Sequence, residues 1–466
     1  MADLPPEVLN IIHNELQHDK PQHPYLYRCL LVSKSFCAFF RACLYQDLVI
    51  KLDTNSSRRL SSLATTLDSN SVLSAQARSL SIEVSASMFE NDANRSLWDT
   101  LAHSAVYHSR SYSKIAVKRL SALIHTFRTD PLKIVLQHLI DAGHLESLSI
   151  VGIGEPLTWA MLNQKTKEAL HQLRSLPSVR RLSYTLVHGM EEGMIWGSRG
   201  CGNLDSLSLR SVSITGSRSR ANSAPMHLLR QLSMISCDTI SILSPPKVDS
   251  SLNSDSSHPP VSRYADMSRL ERLHFRGRLL GRYADTHLRS LLHSAAPSLR
   301  VLHIEFVSMG VRDNVFSPPN YSTTPSLQLS TFQSLHTVKI SACQDCGRAT
   351  WRVAEDFALF ISTTSFPTHI PHLILSFTIL TPFTIHDRHP FSPEFGWPAL
   401  NNTFRHCGLD IGKMTVEITV VFRSDPSAMD PAVLNRWEKG VQTLFPVLPS
   451  LSSIRHCEIV FIPQFK

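Results

Sequence analysis

Charge is scarce in this 466-residue chain: Asp, Glu, Lys and Arg make up 18% of it, against 42% hydrophobic residues. A mostly disordered chain needs the opposite balance, so that class is excluded. Glycine is scarce as well, and the 17 glycines and 27 prolines are scattered rather than periodic, which excludes a collagen-like fibre. No strong excess of one sign exists. The net charge of +8, from 46 basic and 38 acidic residues, suits an acidic partner but is mild for a dedicated nucleic-acid binder. Nine widely spread cysteines, an odd number, make a poor disulfide framework, so reduced thiols in cytoplasm and/or nucleus are expected. The first residues, Met1 to Glu7, show neither the basic nor the apolar region of a secretory signal. The uncharged stretch 357–385 carries Pro367, Pro371, Pro382, His369 and His372, a poor fit to the ~20 apolar residues of a membrane span. Buried strands are expected there, in a soluble intracellular protein.

What is present begins at the N-terminus. Pro5, Pro6 and Glu7 suit a helix start, and Val8, Leu9, Ile12 and Leu16 follow at helical spacing. A break from Gln17 to Pro24 precedes a second apolar run, Leu26 to Phe36. Phe39, Phe40, Cys43 and Leu44 extend it, with Ser33 placed to cap a helix ending near Tyr45. Three short helices in fewer than about fifty residues cannot bury all their apolar stripes alone. Either a partner or the rest of the chain must cover the surplus.

The order Leu-Pro-x-Glu-Val-Leu-x-x-Ile, Leu-Leu-Val-Ser-Lys-x-Phe and Arg41-Ala-Cys-Leu-Tyr45 resembles an F-box over residues 3 to 48. The chain departs from the common pattern in its longer His/Pro-containing link and in lacking a Trp near the end. The resemblance implies docking on the Skp adaptor of a cullin–RING ubiquitin ligase complex. Carried over by motif position, Leu4, Pro5, Val8, Leu9, Ile12, Leu31, Val32 and Phe36 form or support that interface. Helices laid in an apolar groove fit this mode.

From residue 77 a unit of the form Leu-x-x-Leu-x-Leu keeps returning. It begins at Ala77, Leu145, Val179, Leu204, Leu229, Leu270, Leu299 and Leu335, with a last candidate at Leu451 leading into Ile459, Val460 and Phe461. Alternation inside each unit is strand-like. Asp130-Pro131 opens a helix that Gly143 can close, and Asp430-Pro431 repeats that start. Pro-Ser followed by an apolar residue stands at 177–179, 297–299 and 449–451, where the apolar residue is expected to open a strand. The predicted fold is α/β: a three-helix F-box at 1–48, a lead-in at 49–76, and an irregular leucine-rich-repeat-like solenoid at 77–466. Ser244 to Ser262, with seven serines and four prolines, reads as a disordered insertion. An ordinary α/β domain with a parallel sheet uses the same alternation.

Candidate chemistry is thin. Cys343 and Cys346 have metal or redox spacing, but no second pair completes a zinc site. Cys343 instead falls on a turn slot of the repeat. Gly189 to Gly202 holds five glycines without a phosphate-loop pattern and reads as an exposed loop. No catalytic constellation is visible, and no cofactor or metal is implied. Basic residues cluster at 101–140 (Arg110, Lys114, Lys118, Arg119, Arg128, Lys133) and at 263–300. In the second cluster Arg272, Arg276, Arg278 and Arg282 form a candidate patch for an acidic or phosphorylated target. The expected role is a non-catalytic receptor binding the adaptor and a protein target. A scaffold outside ubiquitination and a nucleic-acid-associated repeat protein are its rivals.

Overall fold

A computed structural model describes residues 8–9, 34–52, 56–85, 130–154, 156–196, 204–215, 227–235, 265–277, 288, 291–307, 329–345, 358, 361–362, 364, 372–381, 397–406, 414–422 and 456–461. The chain divides into two compact units, Met1–Leu228 with Cys237–Thr239, and Leu229–Ser236 with Ile240–Lys466. The fold is mixed α/β, and a large parallel sheet dominates it.

In the first unit the order is α1 (Lys34–Gln46), β1 (Asp47–Leu52), α2 (Ser56–Ser69), α3 (Ser71–Gln76), β2 (Ser79–Ser85), α4 (Asp130–Ala142) and β3 (Ser147–Ile153). It continues with β4 (Leu157–Thr158), α5 (Gln164–Arg174), β5 (Arg181–Glu191), α6 (Gly193–Trp196) and β6 (Ser206–Thr215). β1, β2, β3, β5 and β6 pair in that order, all parallel, and β4 pairs with β5. α4 lies between α2 and α5 and packs on both. The second unit carries β7 (Gln231–Ile235), β8 (Arg272–Gly277), β9 (Val301–Val307), β10 (Thr337–Asp345) and β11 (His372–Thr381). α7 (Trp397–His406), β12 (Met414–Phe422) and β13 (His456–Phe461) follow. Each of its strands pairs parallel with the next.

The recurring unit is the core. Its three apolar positions are at most 3% exposed in all eight units from Ala77 to Ile340. They stack across the strands in register: Leu80, Leu148, Leu182 and Leu207 in the first unit, and Leu232, Leu273, Leu302 and Val338 in the second. Each fully buried Leu is worth about 1.5–3 kcal/mol, so these columns dominate the packing energy.

The residue just before six of the strands, β2, β3, β5, β7, β8 and β9, performs a constant task. The Arg78 carbonyl accepts from the N–H groups of Glu146 (2.8 Å) and Ser147 (3.0 Å), and Glu146 does the same for Arg180 (2.9 Å) and Arg181 (3.0 Å). Arg180 then serves Asp205 and Ser206. In the second unit Arg230 serves Glu271 and Arg272, Glu271 serves Arg300 and Val301, and Arg300 serves His336 and Thr337. The side chains at these positions alternate in sign: Arg78, Glu146, Arg180, Asp205 in one unit, and Arg230, Glu271, Arg300 in the other. Like charges directly opposite across a sheet are destabilising, and alternation avoids that. Glu146 is 4.0 Å from Arg78 and 3.7 Å from Arg181.

Several expectations shift. The parallel sheet starts at Asp47, ahead of the first recognised unit, because Leu48, Ile50 and Leu52 alternate as inward residues of β1. Residues 56–76, taken as lead-in, form α2 and α3. Pro-Ser at 177–178 and 297–298 is a turn, and the apolar residue after it is buried, but the strand opens two residues later, at Arg181 and Val301. Gly189 lies within β5 and Gly193 opens α6, so the glycine-rich stretch does not begin as an exposed loop. Leu186 (φ 54) and Gly189 (φ 66) bend the strand at an irregularity between Val187 and Met190. Cys343 sits inside β10, between Val307 and Thr378, and not on a turn. The stretch 357–385 does contain a strand, β11. The 244–262 insertion, the Asp430-Pro431 start and Leu451 lie outside the described residues.

The α6 turn explains a buried charge. Arg174 is 1% exposed, and its Nε and Nη2 donate to the Ile195 carbonyl at 3.1 and 2.8 Å. The Tyr184 hydroxyl donates to the Met194 carbonyl at 2.8 Å, and burial pushes that phenol well above its ordinary pKa, with Arg174 opposing. These bonds satisfy carbonyls that a four-residue helix leaves open.

Two helix ends give measurable expectations. Gly143 has φ +69 and donates to Leu139 O at 3.2 Å, the left-handed close of α4. A Cβ there meets nothing nearer than 4.0 Å, so conformation alone is strained. Gly143→Ala is expected to cost about 1–2 kcal/mol in urea unfolding. Asn163 Oδ1 caps α5 by accepting from Thr166 N at 2.7 Å, and Asn163→Ala is expected to cost about 1 kcal/mol.

Candidate functional site

The first candidate surface is built on α1. Its sequence, KSFCAFFRACLYQ, puts Phe36, Phe40 and Leu44 on one stripe, with Phe39 beside it. Phe40 is fully buried and Leu9 is 4% exposed, and together they form a small core flanked by Phe36, Phe39 and Leu44. Phe36 and Phe39 lie 5.5 and 5.2 Å from the Phe40 ring, the second edge-on, both within the favourable range for aromatic pairs. Val8 is 37% exposed beside the buried Leu9. Burial raises the Cys43 thiol pKa, with a backbone hydrogen bond opposing. The structure therefore brings Leu9 and Phe36 into one cluster and leaves Val8 open. Leu4, Pro5, Ile12, Leu31 and Val32 lie outside the described residues.

The second surface is the polar face of the second unit's sheet. Inward positions of β7 to β10 are apolar, so by strand alternation the positions between them face away from the core. Register then sets Ser233, His274, His303 and Lys339 in one row, and Ile235, Arg276, Glu305 and Ser341 in the next. His274 and His303 stack face to face, with ring centroids 4.1 Å apart and planes within 4°. His303 Nε2 is 2.7 Å from Ser341 Oγ, and Ser233 Oγ is 3.4 Å from His274 Nδ1. Glu305 lies between Arg276 and His274: Oε1 is 3.3 Å from Arg276 Nε, and Oε2 is 3.8 Å from His274 Nε2. Neither nitrogen has a partner in hydrogen-bonding geometry there. Burial alone would raise the Glu305 carboxyl. The His274 contact, followed by the charges of Arg276, His274 and His303, outweighs burial and holds it below the ordinary carboxylate value.

Of the predicted acidic-target patch, Arg272 and Arg276 are described, both on β8. Arg276 is occupied by Glu305, because the two face each other in register across β8 and β9. Arg272 is exposed at the start of β8, while Arg278 and Arg282 lie outside the described residues. Of the 101–140 basic cluster, Lys133 is described, exposed on α4. Among the described residues no three His, Cys, Asp or Glu side chains gather as metal ligands, and no helix is long and apolar enough to cross a membrane. The chain matches no family model and no curated protein.

The His–His–Glu group was missed in the sequence, although it was within reach. Aligning the units starting at Leu270 and Leu299 on their apolar positions sets His274 opposite His303 and Arg276 opposite Glu305.

A depressed folded pKa stabilises above the unfolded value, about 4.3, and that stabilisation is lost as pH falls through the folded value. Glu305→Gln is therefore expected to cost about 1 kcal/mol at neutral pH. The gap to the parent should close as pH falls below about 4 in denaturant titrations. Phe40→Ala is expected to cost about 3–5 kcal/mol, whereas Val8→Ser at an exposed position should stay within about 0.5 kcal/mol.

Proposed function

We propose that the chain is a non-catalytic substrate receptor of an SCF-type cullin–RING ubiquitin ligase. In this reading the F-box, residues 1–48, docks on a Skp-type adaptor, and an irregular leucine-rich-repeat-like solenoid holds a protein target. The observation that carries it is the contact of Leu9 with Phe40: two halves of the motif far apart in sequence share one small core, with Val8 exposed beside it. The solenoid reading is supported by one strand per unit, in-register stacking of Leu columns, and the two-hydrogen-bond contact repeated at six strand entries.

The polar sheet face suits recognition better than bond chemistry. A hydroxyl beside an imidazole, as in Ser341 and His303, is where a base can activate a nucleophile. Acyl transfer also needs free donors aimed at the developing oxyanion. Backbone N–H groups of β9 and β10, interior strands of the ladder, are committed to sheet pairing. Ubiquitin transfer would be accelerated by holding target lysines at high local concentration near a separate enzyme. The pairing of Arg276 with Glu305 weighs against the nucleic-acid reading.

The full chain is expected to co-purify with the Skp adaptor, and a Leu4→Ala/Pro5→Ala/Ile12→Ala variant of unchanged melting temperature is expected to lose it. If parent and variant both fail to bind, the α1 cluster serves internal packing and the ubiquitin reading is to be dropped for a scaffold.

A further inference from the structure

Three arginines meet in one depression of the second unit. Arg230 and Arg300 hold the strand-entry positions before β7 and β9, and Arg269 ends the 3-10 turn Met267–Arg269 ahead of β8. Together with Glu271, Ser298 and Ser334 they line a solvent-open cavity of about 330 Å³. The described lining carries three arginines and one glutamate, a local balance of two positive charges. Among the described residues none of the three arginines has an ion-pair partner within 4.0 Å. This differs from the sheet face, where Glu305 occupies Arg276.

The backbone around the depression is fixed. Arg230 O accepts from Glu271 N at 2.8 Å, and Glu271 O accepts from Arg300 N at 2.8 Å, so the three side chains leave consecutive rungs of one ladder. The hydroxyls are spent on local structure: Ser298 Oγ donates to Leu270 O and Ser334 Oγ donates to Pro297 O, each at 3.0 Å. Their protons hold turns, so donors for a guest come from the guanidinium forks. Such forks match planar or tetrahedral oxyanions bidentately.

We propose that this depression binds the dianion of a phosphate monoester. A phosphoryl group carries about −1.5 to −2 charges at neutral pH and three acceptor oxygens, which fits a net +2 and several guanidinium forks lining one depression. A single carboxylate brings half that charge. None of the described residues lining the cavity is aromatic, so they offer no stacking platform of the kind that single-stranded nucleic acid uses. A phosphorylated protein side chain and a soluble small-molecule phosphate present the same chemistry, and the assay separates them. The proposal does not rest on adaptor docking, and its test uses the full chain alone.

The test is calorimetric titration with Ac-Gly-Ala-phosphoSer-Ala-Gly-amide, its Ser and Glu counterparts, inorganic phosphate and a hexose 6-phosphate. The phosphopeptide or the hexose phosphate is expected to bind about tenfold or more tighter than the Ser and Glu peptides, and to weaken as salt rises. Preference for the phosphopeptide assigns a protein source, and preference for the hexose phosphate assigns a small molecule. Arg269→Gln/Arg300→Gln should lose about tenfold or more with unchanged melting temperature. Arg180→Gln, at the matching strand entry of the first unit, should lose nothing. Phosphate probes binding no better than the Ser peptide would overturn the assignment, as would affinity that survives Arg230→Gln/Arg269→Gln/Arg300→Gln.

Discussion

Among the described residues, the registration of the sheet hangs on one carbonyl at each of six strand entries. At residues such as Arg78, Glu146 and Arg300 a single backbone oxygen accepts two N–H groups from the following strand. That bifurcated contact fixes where the next strand begins. Because side chains alternate with period two, fixing the first residue decides which face every later residue takes. The Leu columns inside and the polar rows outside are both consequences of that one choice.

The face that turns away from the core inherits its chemistry from the same registration. Where Arg276 meets Glu305 and His274 meets His303, charges and rings chosen in separate units become direct neighbours. A one-residue slip would carry these groups inward and Leu273 or Leu302 outward. The polar rows therefore reinforce the register that the apolar columns impose.

Much of this was legible beforehand. The eight apolar units from Ala77 to Ile340 could be read because three inward positions in a strand leave a spacing that few other structures produce. α4 could be read from Asp130-Pro131 and Gly143, which state both ends of the helix. Other parts could not. β1 was hidden because DLVIKL abuts the last helix of the motif, and α2 because its serines obscure Leu60, Ala64 and Leu67 at helical spacing. Arg174 could not be foreseen as buried, since its partner is a carbonyl twenty-one residues away rather than an acid nearby. The arginines of 263–300 cluster in sequence, but β8 sends Arg272 and Arg276 to different neighbours. Proximity along the chain and proximity in space parted there.

The strand-entry contact also bears on how such a chain can diversify. Successive units from Leu145 to Leu335 start 34, 25, 25, 41, 29 and 36 residues apart, yet within each unit of the fold the strands stay in register. Length between strands is thus uncoupled from alignment of strands, since the clamp is remade at six entries whatever path led to each. Closing a longer excursion costs only about 0.6 kcal/mol per doubling. Insertions can accumulate between strands and be tried against new ligands, generation after generation, while the framework that carries them stays unchanged.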